Sequence, residues 1–143
     1  MKYDVVIVGA GPAGIFSALE LAERTDLKIL ILDKGPDIDK RKCPSSRGLG
    51  CRHCEPCAVL SGWGGAGAFS DGKLTLSTEV GGWLNEYVPR EKLEKLIEYV
   101  DGIYRKFGAP EKVYGADPEK VEEIERRASL ARLRLVRQRI RHM

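Results

Sequence analysis

Three groups of residues in this chain have the types and spacing to do chemistry. The first is Gly9-Ala10-Gly11-Pro12-Ala13-Gly14, a G-x-G-x-x-G run directly after the apolar stretch Val5–Val8. Such a run suits a phosphate-bearing dinucleotide. Gly9 permits a tight turn out of a strand, Gly11 lets bare backbone approach a pyrophosphate, and Gly14 lets the next helix pack against the strand. The helix start then offers unpaired N–H groups and the positive end of its dipole to the phosphates. Asp33 follows 24 residues after Gly9, about the interval at which an acid accepts hydrogen bonds from a ribose. Lys34 stands next to it at the same strand end. The competing bland reading is an ordinary βαβ unit without a ligand, but strand, glycines, helix, strand and acid all occur in order.

The second group is Cys43, Cys51, Cys54 and Cys57, the four cysteines of the chain, all within fifteen residues. Two successive C-x2-C steps let thiolates wrap a small iron–sulfur cluster. Four thiolates also suit a structural zinc, with His53 as a substitute ligand. Paired disulfides and a redox-active dithiol use no metal, and chance proximity of inert thiols is the third possibility. The spacing leaves these readings open.

The third group is Ser61-Gly62-Trp63-Gly64-Gly65-Ala66-Gly67-Ala68-Phe69-Ser70-Asp71-Gly72-Lys73. Its glycines allow backbone to lie flat against a planar or phosphorylated ligand. Ser61, Ser70 and Asp71 supply polar contacts. Trp63 and Phe69 argue against a solvent linker, which would be rich in serine and poor in aromatics.

The first motif resembles that of FAD-binding oxidoreductases of the glutathione-reductase type, in which the strand-end acid is usually Glu. Asp33 departs from that pattern and leaves FAD and NAD both in view. With the cysteine run and SGWGGAGAFSDGKL added, the chain resembles the N-terminal part of a prokaryotic family of FAD-dependent dehydrogenases, also described as NAD(P)/FAD-dependent oxidoreductases, whose members are several times longer. The resemblance implies FAD as cofactor and NAD(P) as an electron donor. It also implies flavin-side contacts at Gly64, Gly65, Ser70 and Asp71. It supplies no substrate.

The elements that must position these residues read as follows. Strand 1 is expected at about Tyr3–Val8, a helix at Pro12–Arg24 and strand 2 at Lys28–Leu32, followed by a long irregular Cys- and Gly-rich insertion over 35–72. A short strand is expected within 73–78. A helix starting at Pro89 or Arg90 places Leu93, Leu96, Ile97, Val100, Ile103, Tyr104 and Phe107 on one face, and Gly108-Ala109-Pro110 ends it. Asp117 and Pro118 open another helix as cap and first residue. The alternation Arg132-Leu133-Arg134-Leu135 predicts a strand running to Ile140, at a sheet edge that needs a neighbour. The expected fold class is α/β: a Rossmann-like βαβ start of an FAD/NAD(P)-binding domain, incomplete, with added helices, in one domain spanning 1–143. No later strand or closing motif for a flavin is legible, so the leading expectation is an FAD-binding segment of an oxidoreductase. The alternative is a non-catalytic module needing self-association or a partner chain.

Composition bounds the rest. At 143 residues the chain can bury one core, and its net charge of +3 does not demand nucleic acid. Seven arginines fall between 126 and 143 with no acid, but base-stacking aromatics are absent there, which weighs against a nucleic-acid partner. No apolar run approaches membrane-spanning length. Met1-Lys2-Tyr3-Asp4 leads straight into the first strand, without a secretory apolar core, so a cytoplasmic location is expected. No Ser–His–Asp set or carboxylate pair suggests hydrolysis.

Overall fold

The computed structural model describes residues 2–143, with the backbone alone at Arg47. The chain divides into two compact units at Ser70–Asp71, within the stretch expected as one domain.

The first unit opens with the parallel β–α–β arrangement expected from the sequence. β1 (Val5–Val8) pairs in parallel with β2 (Ile29–Leu32), in the register Val5 to Ile29 through Val8 to Leu32. The crossover is α1 (Pro12–Arg24). Both strands are short, continuous runs of Val, Ile and Leu, the pattern of strands whose two faces are meant to be covered. α1 starts where Pro12 occupies its first turn, and Gly11 caps it without a side-chain hydrogen bond. It ends at Thr25, whose N–H and hydroxyl both return to the Leu21 carbonyl. After β2 the chain enters the long insertion. It holds only short 3-10 turns at Ile38–Lys40, Pro44–Arg47 and Gly65–Phe69.

The second unit is built on a three-stranded antiparallel sheet. Its strands are β3 (Lys73–Thr75), β4 (Val113–Tyr114) and β5 (Ile140–His142), with β5 in the middle. Two helices accompany it, α2 (Arg90–Lys106) and α3 (Pro118–Leu130). α2 half-buries Leu93, Ile97, Val100, Ile103 and Tyr104, while Leu96 and Phe107 on the expected stripe stay exposed. Gly108 takes a positive φ and the Ala109 N–H returns to Tyr104, which stops the helix where the Gly-Ala-Pro signal placed it. Asp117 caps α3 by accepting from the Lys120 N–H, as its side-chain type dictates.

One expectation is corrected. Residues 132–139 form no strand. The N–H of Leu133 returns to Ala128 and that of Arg132 to Ser129, and Arg132 adopts a left-handed φ of 58°, so the helix end turns the chain aside. Arg137 then pairs with Glu125 of α3. Leu133 and Leu135 are exposed together with the arginines, so the alternation carries no inside and outside. The strand starts only at Ile140. It is the central strand, not an open edge, because β3 and β4 flank it. Arg141 on β5 is 3% exposed, and its guanidinium grips Asp101 of α2 and the Pro110 carbonyl. That bidentate contact holds the Asp101 carboxyl below the usual carboxylate range. Among the described residues no helix is long and apolar enough to cross a membrane.

Candidate functional site

Two local facts create the site in the first unit. Gly9 ends β1 with φ at 107°, a value that favours glycine, and its N–H still reaches the Leu32 carbonyl at 2.7 Å. The chain then reverses into α1, whose first turn carries no acidic side chain to neutralise its amino end. A cavity of about 570 Å³ opens beside this turn. Gly9, Gly11 and Pro12 line it from one side, Asp33 and Lys34 from the end of β2, and Ser61, Gly65 and Ala66 from the second glycine loop. Segments far apart in sequence thus share one wall. The volume lies in the range of small-molecule and cofactor sites.

Asp33 ties these segments together. Its Oδ2 accepts from the Ala10 N–H at 2.8 Å. Its Oδ1 accepts from Gly35 N at 2.8 Å and from Gly62 N at 2.7 Å. The Ala10 N–H is the main cause of a carboxyl pKa below the ordinary value, Gly35 adds to it, burial opposes it, and Gly62 and Arg41 act in the same lowering direction. A depressed folded pKa stabilises the fold above the unfolded value of about 4, and that contribution is lost as pH falls through the folded value. Asp33→Asn keeps the shape but sets an amide N–H₂ against backbone donors. The variant is expected to melt below the parent at pH 7, and by a smaller margin at pH 3, below the unfolded value, where the contribution has begun to be lost. Paired melting curves at the two pH values check this. A gap that is equal at both would contradict it.

Ala10 completes the link. It is 2% exposed, and its carbonyl accepts from the Gly64 N–H at 2.8 Å, joining the two glycine loops directly. The second loop is held from behind by Arg41, which sequence reasoning missed. Arg41 is 4% exposed. Its Nε donates to Ala58 O at 2.8 Å and its Nη2 to Val59 O at 2.7 Å. Its Nη1 donates to Trp63 O at 2.5 Å and Gly65 O at 2.7 Å. The guanidinium also lies 4.6 Å from the centre of the Phe69 ring. In sequence Arg41 sits inside Asp39-Lys40-Arg41-Lys42, a run that reads as solvated charge. The one hint is a loop full of glycines, whose many bare carbonyls need a donor.

The remaining expected site residues fall elsewhere. Ala13 and Gly14 lie in the first turn of α1 and do not line the cavity. Gly64 acts through its N–H to Ala10. Ser70 donates its hydroxyl to the Gly67 carbonyl at 2.9 Å, and Asp71 pairs with Lys73 at 2.7 Å in the second unit. Neither lines this cavity. Cys43, Cys51, Cys54 and Cys57 all line a separate cavity of about 300 Å³ and are all free thiols. Among the described residues no three His, Cys, Asp or Glu side chains stand where one metal ion could take them. A second-unit cavity of about 420 Å³ carries Arg90, Glu94 and Glu98, and there Arg90 pairs with Glu79 and Glu94.

The Thi4 family matches residues 1–36, which span β1, α1, β2 and Asp33. A Clostridium beijerinckii protein described as uncharacterized is 50% identical over 77 residues, covering 52% of this chain and 14% of its own. The mitochondrial electron transfer flavoprotein-ubiquinone oxidoreductase of Oryza sativa is 46% identical over 43 residues, 27% of this chain and 8% of its own. The digeranylgeranylglycerophospholipid reductase of Picrophilus torridus is 53% identical over 38 residues, 27% of this chain and 9% of its own. The chain spans 14% or less of the length of these relatives. No solved structure matches it.

Proposed function

We propose that this chain is the FAD-binding segment of a flavin-dependent oxidoreductase and that the ADP part of FAD is held at the Gly9–Gly14 turn. The observation that carries the reading is the single cavity shared by the first glycine turn, Asp33, Lys34 and the second glycine loop. The matches to the Thi4 family and to an electron transfer flavoprotein oxidoreductase support it. The residues fit the group. A side chain on Gly65 would place its Cβ 2.9 Å from the Gly11 Cα, so the two loops leave bare backbone around the cavity. Pyrophosphate takes the amino end of α1, where the Ala13 and Gly14 N–H groups have no partner within the helix. Asp33 offers the ribose its remaining acceptor position: a carboxylate has about four, and three already receive backbone N–H groups. Lys34 and Gly65 also line the cavity. Bound flavin supplies hydride or electron transfer; the chain binds and orients it.

The test is titration of the purified chain with FAD, with NADPH as competitor, followed by absorbance and fluorescence. FAD binding, and a loss of roughly tenfold or more in Gly11→Val, is expected. Equal binding of FAD by parent and Gly11→Val would sink the assignment, and tighter NADPH than FAD binding would transfer the site to a nicotinamide dinucleotide.

A second reading has its own observation. β1 and β2 form a sheet of two strands, with Val8 85% and Val6 53% exposed. Residues of this type are built to be covered. As a non-catalytic module, the chain would acquire a full flavin site only with a second copy or partner chain on that sheet. Weak FAD binding that tightens with protein concentration supports this reading.

A further inference from the structure

The cysteine cavity lies outside the proposed cofactor site and is not used by it. We propose that Cys57 and Cys54 form a dithiol that exchanges with small disulfides, with Cys57 the attacking sulfur and Cys54 the resolving one.

All four thiols are free and line one cavity of about 300 Å³. The surroundings single out Cys57. It heads the turn 57–61, where its carbonyl accepts from Leu60 N at 3.1 Å and Ser61 N at 2.8 Å. Around Cys57 the Leu60 and Val59 backbone N–H groups and the positive charges of Arg41 and Lys34 all act on the thiol in the same direction. These donors favour the thiolate and pull the thiol below its ordinary range, the backbone N–H of Leu60 first, while burial opposes them. Thiolate is the species that attacks. Cys54 is exposed, lines the same cavity and stands at C-x-x-C spacing, the separation used by dithiol redox motifs.

The exchange balances as follows. The Cys57 thiolate attacks one sulfur of a disulfide RSSR, the S–S bond breaks, and RS⁻ leaves. The sulfur of Cys54, giving up its proton, attacks Cys57 Sγ and displaces the second RS group, which takes that proton as RSH. The protein dithiol is oxidised by two electrons and the small disulfide is reduced by two. Charge defines the class of disulfide. The cavity wall carries Lys40, Lys42 and Arg52 and no acid, which favours a disulfide bearing carboxylates.

The experiment uses the full reduced chain with glutathione disulfide at neutral pH, and mass spectrometry to map products. The parent is expected to gain a Cys54–Cys57 bond and release two glutathiones. Cys54→Ser is expected to trap one glutathione on Cys57, and Cys57→Ser to react roughly tenfold more slowly or worse. Cystamine, a cationic disulfide, is expected to react more slowly than glutathione disulfide at low salt, with the difference shrinking as salt rises. A bond mapped to Cys43 or Cys51, four thiols of equal rate, or no trapped adduct on Cys57 in Cys54→Ser would overturn the proposal. The parent and Cys54→Ser arms suffice if Cys57→Ser fails to fold. None of these readouts depends on FAD, so failure here and failure of the cofactor assignment remain separate.

Discussion

Arg41→Met is expected to destroy FAD binding and to lower stability by about 3 kcal/mol or more. The guanidinium donates to four backbone carbonyls, of Ala58, Val59, Trp63 and Gly65. Methionine fills similar volume along the stem and donates nothing. Each buried carbonyl left without a donor costs about 1–3 kcal/mol, and opening the loop to water recovers only part of that. The total is a large share of a stability of about 5–15 kcal/mol for an ordinary domain. Binding falls for a separate reason. Gly65 and Ala66 line the proposed cofactor cavity, and Gly65 is itself one of the four carbonyl partners. A loop released from Arg41 no longer holds that wall. Arg41→Lys separates the two effects. Its single ammonium has three donors and cannot span four carbonyls, so it is expected to regain part of the stability and little of the binding. Urea denaturation and FAD titration of the three proteins make the measurement. Parent-like FAD affinity in Arg41→Met would show that the second glycine loop stands without its arginine, and that the loop's place in the site needs another cause.

What was legible in the sequence follows from range. α1 was placed at its observed bounds because Gly11-Pro12 and the Ile15, Ala18, Leu19, Ala22 spacing are local signals. The start of α3 was legible for the same reason, since its cap and first residue are adjacent. β4 was not legible, since two residues of strand carry no period and exist only through pairing with β5. The false strand at 132–135 fails for the opposite reason. Its alternation is strong, but the hydrogen bonds from Arg132 and Leu133 back to α3 decide the path. At the candidate site the glycine turn and Asp33 could be named in advance because their spacing is a one-dimensional pattern. Arg41 could not, since its role depends on where residues 58–65 fold back. The cysteines show how far spacing carries: their confinement to fifteen residues marks them as one group, and the fold sets all four on one cavity wall, but what such a group binds or reacts with is not written in spacing.

Gly14→Ala tests the frame on which everything else rests. A Cβ on Gly14 would lie 1.9 Å from the Gly9 carbonyl oxygen, 3.1 Å from the Gly9 carbonyl carbon and 3.3 Å from Ile7 Cγ2. Two of these atoms are backbone of the turn itself, so no side chain can swing away. Relief requires α1 to back off from the end of β1 by about an ångström or more. Overpacking of this kind costs about 1–3 kcal/mol and occasionally more. Alanine's better helix propensity returns at most about 1 kcal/mol. The shift also strains the two bonds of Ala10, to the Asp33 carboxylate and to the Gly64 N–H, each 2.8 Å long. A net loss of about 2–4 kcal/mol is expected, together with loss of FAD binding. Gly11→Ala is the control. There the added Cβ would meet Gly65 Cα at 3.8 Å, an ordinary contact, and Gly11 has a φ of −79° that any residue adopts. It is expected to leave the melting temperature within a few degrees of the parent while weakening FAD, because the new methyl stands on the cavity wall. Equal stability of Gly14→Ala and Gly11→Ala would mean that α1 is not seated on the Gly9 carbonyl. The amino end of the helix would then not be held where the proposed pyrophosphate site needs it.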